Sequence, residues 1–250
     1  MRTDRLHQLE QYLIRRRSAT LPELCGQFGV SMNTIRRDIR ELVESGRLAK
    51  VYGGVVLNQQ DPTLPYTDRS QSAVAEKQAI GRLAARLVES GDTLYVDSGT
   101  TAVELIPHLA GLERITVVSN SLIVQNRILQ VPDLTLIAIG GQFSRRTLSC
   151  SGPGAIAGLR DLRIRKAFMS ATGVGLETGA TNYSPYEAEV KRTAIERSRE
   201  VILMADHSKF GKTAAICFCP LDRLSALVTD RKPDDAMVEF CRSHGIALLY

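Results

Sequence analysis

The chain has 250 residues, 44% hydrophobic and 24% charged, which is the composition of a globular protein large enough for one big core or two smaller ones. No run approaches the roughly 18 apolar residues of a membrane span, and the opening "MRTDRLHQLEQYL" has no signal-peptide core, so a cytoplasmic location is expected. Five scattered cysteines and four dispersed histidines show no paired CxxC spacing, so reduced thiols and no metal site are expected. The net charge of +5 is unevenly placed: residues 1–57 hold 10 Lys and Arg against 6 Asp and Glu, and the remainder 22 against 21. That distribution suits an anion-binding head on a neutral body.

In chain order, "DRLHQLEQYLIRRR" places Leu6, Leu9, Leu13 and Ile14 on one stripe of an amphipathic helix. A second helix begins at "TLPEL", where Thr20 and Glu23 have capping-box spacing and Pro22 lies in the first turn; Gly29 ends it. Only "GVS" separates it from a third helix that Ser31 caps, so the pair reads as a helix-turn-helix. In the third helix Ile35, Ile39, Leu42 and Val43 share the core-facing arc, which turns Asn33, Arg36, Arg37 and Arg40 outward. Ser31, Met32, Asn33, Thr34, Arg36 and Arg37 at the N-terminal half are the candidates for reading DNA, with Arg40 nearer the backbone. "RLAKVYGGVVL" follows as a hairpin wing whose Lys50 and Tyr52 would reach phosphates.

"LPELCGQFGVSMNTIRRDIRELVESGRLAKVYGG" resembles the winged helix-turn-helix of the DeoR family of bacterial transcriptional repressors, through Thr34 to Asp38 and the pair Gly53-Gly54. Val55 departs from the alanine common after that pair. The resemblance implies a double-stranded DNA operator as partner for residues 1–57.

Residues 58–73, polar and with two prolines, read as a linker. From residue 74 to 250 helical and apolar strand-like stretches alternate. "TLYV", "ITVVS", "LTLIAIG", "KAFMSA", "EVILMA", "LSALVT" and "IALLY" are the strands, and the pattern predicts an α/β domain with a mainly parallel sheet covered on both faces. Ligands of such sheets bind at the carboxyl ends of the strands. After the first strand Asp97, Ser98, Gly99, Thr100 and Thr101 open a helix, so backbone N–H groups and two threonine hydroxyls converge as a phosphate cradle. Ser119, Asn120 and Ser121 repeat the arrangement after the second strand. Gly140 and Gly141, with Arg145 or Arg146, follow the third. Cys217 and Cys219 alternate as on one face of a strand.

The body resembles the DeoR-family effector domain, which is similar in fold to ribose-5-phosphate isomerases, through Asp97 to Thr101, Asn120-Ser121, Gly140-Gly141, Glu187 to Arg192 and Asp206 to Gly211. The resemblance implies a phosphorylated sugar or polyol effector, with Glu187, Lys191, Asp206 and Lys209 around the sugar or holding the site together. Many members carry an acidic residue after the fourth strand; here Ala171, Thr172 and Gly173 stand there and no carboxylate comes before Glu177. Proton transfer at a sugar carbon needs a positioned carboxylate, so no catalytic residue is assigned and no cofactor is expected. The two readings are a ligand-controlled repressor and a sugar-phosphate isomerase-like enzyme with a DNA-binding head. One head offers too little interface for a repressor's affinity, so a homo-oligomer held by the body is expected.

Overall fold

The computed structural model describes residues 5, 6, 8, 9, 12, 13, 16, 18–44, 48–51, 54–57 and 64–250. The chain divides into a unit of residues 1–63 and one of residues 64–250.

In the smaller unit, Leu9 and Leu13 from the first helical stretch pack with Leu24, Ile35, Ile39, Leu42, Leu48 and Val55. Helix Leu21–Phe28 starts at a complete capping box: Thr20 N–H donates to Glu23 Oε2 at 2.7 Å, and Glu23 N–H to Thr20 Oγ1 at 3.4 Å. Gly29, at φ +61°, ends it in the left-handed conformation that costs glycine nothing. The third helix spans Met32–Glu44, and Ser31 Oγ accepts the Thr34 N–H at 3.3 Å. The hairpin consists of β2 (Leu48–Val51) and β3 (Gly54–Leu57), paired from Leu48↔Leu57 to Val51↔Gly54. A third strand that the sequence did not signal, β1 (Ser18–Thr20), lies antiparallel against β3.

The larger unit is built on a seven-stranded parallel sheet of β4 (Thr93–Val96), β5 (Thr116–Ser119), β6 (Thr135–Ala138), β9 (Ile164–Ser170), β12 (Ser198–Met204), β14 (Ala226–Val228) and β15 (Ala247–Leu249). Their order is β15-β14-β12-β9-β4-β5-β6, and every neighbouring pair is parallel. All seven come from the stretches singled out in the sequence: the inner strands are mostly buried on both faces and read as apolar runs, and the edge strands β6 and β15 are apolar although more exposed. Leu94 and Val96 join one core, under helices Val74–Ala85 and Leu122–Ile128 and the 3-10 helix Ala102–Leu109. Tyr95 joins the opposite core with Ala155, Ile156 and Leu159 of helix Pro153–Arg160 and Ala188, Val190 and Ala194 of helix Pro185–Glu196.

Two small antiparallel sheets add to the predicted set: β7 (Gln142–Ser144) with β8 (Ser149–Ser151), and β10 (Gly173–Gly175) with β11 (Gly179–Asn182) and β13 (Ile216–Cys219), of which only β13 was signalled, by the alternation of Cys217 and Cys219. Unlike the equally short strands of the main sheet, β7, β8, β10 and β11 carry no apolar run. In β13, Cys217 is exposed while Cys219 is buried, and burial pushes the Cys219 thiol up to about 12.

One boundary is corrected. The expected linker 58–73 is a linker at most in its first part, because residues from Leu64 belong to the larger unit and Tyr66–Ser70 is a short helix with Tyr66 buried. The polar, proline-bearing composition conceals an anchored segment: Tyr66 N–H donates to Arg146 O at 2.8 Å and Arg69 Nε to Leu64 O at 3.0 Å.

Candidate nucleic-acid interface and effector site

On helix Met32–Glu44 the side chains of Asn33, Arg36, Arg37 and Arg40 are exposed, whereas Ile35, Ile39 and Leu42 are buried. Met32 and Thr34 are half-buried; Cys25 Sγ lies 4.0 Å from Met32 Sδ, and Thr34 Oγ1 is 2.9 Å from Ser31 Oγ. These two therefore help to seat the helix as well as border its outer face. Arg36, Arg40 and Lys50 line one groove of about 280 Å³ together with Leu21, Ile39, Val51, Gly54 and Val55. Tyr52 lies outside the described residues.

Asp38, within the quoted T-I-R-R-D motif, is fully buried and faces inward. Its carboxylate receives Arg5 Nε at 2.7 Å and Arg5 Nη2 at 3.3 Å, a two-point pairing across 33 residues that ties the third helix to the first. The hydrogen bond to Asp38 raises the Arg5 guanidinium above its ordinary value.

In the larger unit, Asp97, Asn120, Ser170, Asp206 and Asp230 all stand at the carboxyl ends of neighbouring strands. The turn after β4 is built around one oxygen. Asp97 Oδ2 accepts from Gly99 N–H at 3.2 Å, Ser170 N–H at 3.1 Å and Lys191 Nζ at 2.5 Å, with Asp97 and Lys191 both buried. Lys191 Nζ also donates to Ser170 O at 3.0 Å and sits 5.0 Å from the centre of the Phe218 ring. Gly99 is required here by space: a Cβ would come within 2.4 Å of Ser170 Cβ and 2.5 Å of Ser170 Oγ. Ser170 Oγ in turn accepts the Ala102 N–H at 3.1 Å.

The segment after this turn is a 3-10 helix, where an α-helix was implied, and Thr101 makes no side-chain cap to it. Gly99 and Ala102 N–H groups are already used, so the donors that remain to a ligand among the described residues of the turn are the N–H groups and hydroxyls of Ser98, Thr100 and Thr101.

The turn after β5 differs. Ser119 Oγ donates to Val96 O at 2.7 Å and accepts the Ser121 N–H at 3.1 Å, while Ser121 Oγ caps helix Leu122–Ile128 through Val124 N–H at 3.3 Å. Asn120 accepts from Tyr95 Oη at 2.9 Å and donates to Cys150 O at 2.6 Å. These bonds commit the triplet to holding the loop, and burial followed by the charge of Asp97 pushes the Tyr95 phenol well above its usual range. Gly141, at φ +138°, lies so close to Ser151 O (2.6 Å from its would-be Cβ) that it serves backbone packing; Gly140 and Arg145 are exposed.

Asp206 is 1% exposed; its Oδ1 accepts from Ser208 N–H at 3.0 Å, while Oδ2 has no hydrogen-bond donor and lies 3.8 Å from Lys209 Nζ. Burial lowers the Lys209 ammonium from its ordinary value. Half-buried Glu187 accepts from Asn182 Nδ2 at 3.3 Å.

Sequence reading missed two participants. Ser170 is joined to the β4 turn across 73 residues, which no local pattern reveals. Lys77 is 3% exposed, donates to the Arg69 and Ser72 carbonyls, and is lowered to about 8 by burial first and by Lys209 second. Its signal was legible: a lysine in register with Ile80 and Ala84 on the buried stripe of its helix. Among the described residues no cluster of His, Cys, Asp and Glu could hold a metal ion, and no helix is long and apolar enough to cross a membrane.

A winged helix-turn-helix on one unit and polar strand ends of a doubly covered parallel sheet on the other define a ligand-sensing transcription regulator. Residues 5–61 match the DeoR-like helix-turn-helix domain and residues 72–231 the DeoR C terminal sensor domain, so the chain belongs to the DeoR family. It is 38% identical over 248 residues to the HTH-type transcriptional regulator IolR of Bacillus subtilis, covering 99% of both chains. It is also 30% identical to the HTH-type transcriptional regulator GolR of Listeria innocua, over 97% of this chain and 96% of that one. The glycerol-3-phosphate regulon repressor of Escherichia coli is 30% identical over 90% of each chain. Among solved structures, ribose 5 phosphate isomerase A from Neisseria gonorrhoeae aligns with 54% of this chain and 52% of its own at 15% identity, with a TM-score of 0.40. The chain is a DNA-binding transcription regulator, and the enzyme reading is set aside.

Proposed function

We propose that this protein represses a sugar, polyol or nucleoside catabolic operon, and that a phosphorylated sugar or polyol held at the carboxyl end of its sheet releases it from DNA. In this reading Asn33, Arg36 and Arg37 meet base edges, Arg40 and Lys50 meet phosphates, and two or more copies bind together.

The observation that carries the effector class is the Asp97–Thr101 turn, where Asp97, Lys191 and Ser170 fix the backbone while the Thr100 and Thr101 N–H and hydroxyl groups stay available. That donor set suits a phosphate, whose oxygens only accept. Asp206 lies two strands away, roughly 10 Å at ordinary strand spacing, which is the reach of a short phosphorylated carbon chain. The unbonded Asp206 Oδ2 then takes a sugar hydroxyl. A relative named for glycerol 3-phosphate supports a phosphorylated polyol.

A thermal-shift panel of phosphorylated sugars and polyols beside their unphosphorylated forms tests this. A ligand at 100 times its dissociation constant stabilises the folded unit by about 2.7 kcal/mol. One phosphorylated compound raising the melting temperature, with its unphosphorylated form inert, is the expected result. No shift with any phosphorylated compound rejects the effector class and leaves the DNA reading intact.

A further inference from the structure

Strand β6 is an edge of the seven-stranded sheet, and its outer side is open. Thr135 and Ile139 N–H groups donate inward to Ile115 and Ser119 O, so the alternate groups of Leu136 and Ala138 point away from the sheet. Thr135, Ile137 and Ala138 are exposed. Natural edge strands are normally blunted by charges, prolines or bulges, and "TLIA" contains none of these. The neighbouring helix Leu122–Ile128 continues the surface. Leu122, Asn126, Leu129 and Gln130, spaced as one helical row, are exposed and uncharged, and Leu129 is 81% exposed. Arg127, the one charged residue of that helix, is engaged with Glu104 at 2.9 Å.

We propose that a second copy of this chain docks on this face, with the two β6 strands pairing antiparallel across a two-fold axis and the Leu122–Leu129 rows packing beside them. The proposal rests on the reading of the chain as a repressor acting in more than one copy. Two features select a second copy over other occupants. The residues named on this face are uncharged, Arg127 is paired with Glu104 and the exposed Asp133 that precedes β6 is acidic, so the face offers little to nucleic acid or to an anionic lipid headgroup, and it is complementary to itself. An open ladder of N–H and C=O groups is likewise satisfied by the same strand turned about a two-fold axis, since antiparallel pairing matches each residue's donor and acceptor. Tyr250, exposed just after the opposite edge strand β15, supplies the control.

The test is sedimentation velocity on the full chain without DNA, comparing wild type with Leu129→Lys/Ile137→Lys and with Tyr250→Lys. The expected result is a wild-type assembly of two or more copies, a mass roughly halved in the double variant with circular dichroism unchanged, and wild-type mass for Tyr250→Lys. A wild-type monomer overturns the surface and the oligomeric reading together. A wild-type assembly that survives in the folded double variant, or one that only Tyr250→Lys dissociates, overturns the surface alone. If the double variant does not fold, Leu129→Lys decides in the same way, because that side chain is already in solvent.

Discussion

Gly99 and Arg37 are the single residues on which the two units can be tested most sharply. Gly99→Ala puts a methyl group 2.4 Å from Ser170 Cβ, so either Ser170 or the turn must move. Overpacking of this kind costs about 1 to 3 kcal/mol, and here it also displaces the Ser170 Oγ that holds the Ala102 N–H. We expect the variant to remain folded by circular dichroism while its thermal shift with the phosphorylated ligand disappears; an unchanged shift would mean the turn does not hold the ligand. Arg37→Ala removes an exposed cation from the helix face, and operator affinity should fall by about 1 to 3 kcal/mol in a filter-binding titration. Both residues were legible in sequence, but for Gly99 the reason was not. The sequence marks Gly99 only as part of a turn that opens a helix, and the neighbour that requires a glycine there, Ser170, lies on another strand. The serines of "SNS" show a second thing the sequence does not carry: a short polar turn after a strand looks the same whatever its hydroxyls bond to, and that Ser119 Oγ ties two strands together through Val96 O appears only in the fold.

At the level of elements, what the sequence conveyed followed periodicity and burial. The seven parallel strands were readable because each is apolar on both faces, and the helix-turn-helix because Thr20, Gly29 and Ser31 punctuate it. The segment Leu64–Ser72 was not readable, since its order comes from outside: Arg146 O holds Tyr66 N–H, and Lys77 holds the carbonyls of Arg69 and Ser72. Lys77 makes a prediction with two opposite signs. Folding lowers its ammonium from 10.5 to about 8, chiefly by burial, so the folded state disfavours the charged form. The cost is present in full below about pH 8 and is relieved as pH rises towards 10.5, so Lys77 makes the unit more stable across that window. Anion binding has the reverse dependence: Lys77 feels the charges of Lys209 and Asp206, so an anionic effector bound beside these residues favours the charged lysine, and its affinity should hold level below about pH 8 and weaken above it. Titrations of ligand affinity and of denaturant stability against pH, for wild type and Lys77→Met, measure both. Parallel trends, or the same trends in the variant, would remove Lys77 from the site.

For the whole molecule the question is how many heads engage one operator, and the charge distribution answers it through salt. The excess positive charge lies in residues 1–57, with 10 basic against 6 acidic side chains, while the rest of the chain is nearly balanced at 22 against 21. The ionic-strength dependence of DNA binding therefore comes from the head. Of its outward cations, Arg40 and Lys50 are the two placed on phosphates, and each displaces about one counterion there. At a slope of about −0.9 per phosphate neutralised, one head gives roughly −2 in log K against log salt, and two heads give roughly −4. We expect the steeper value for the wild-type chain. Lys50→Ala, which removes one contact per head, should make it shallower by about 2 in a two-headed complex and by about 1 in a one-headed complex. Binding isotherms from about 50 to 200 mM salt separate the cases. A wild-type slope near −2 with a change near 1 would show that one head binds at a time, and the paired operator geometry would then have to be abandoned whatever mass the protein has in free solution.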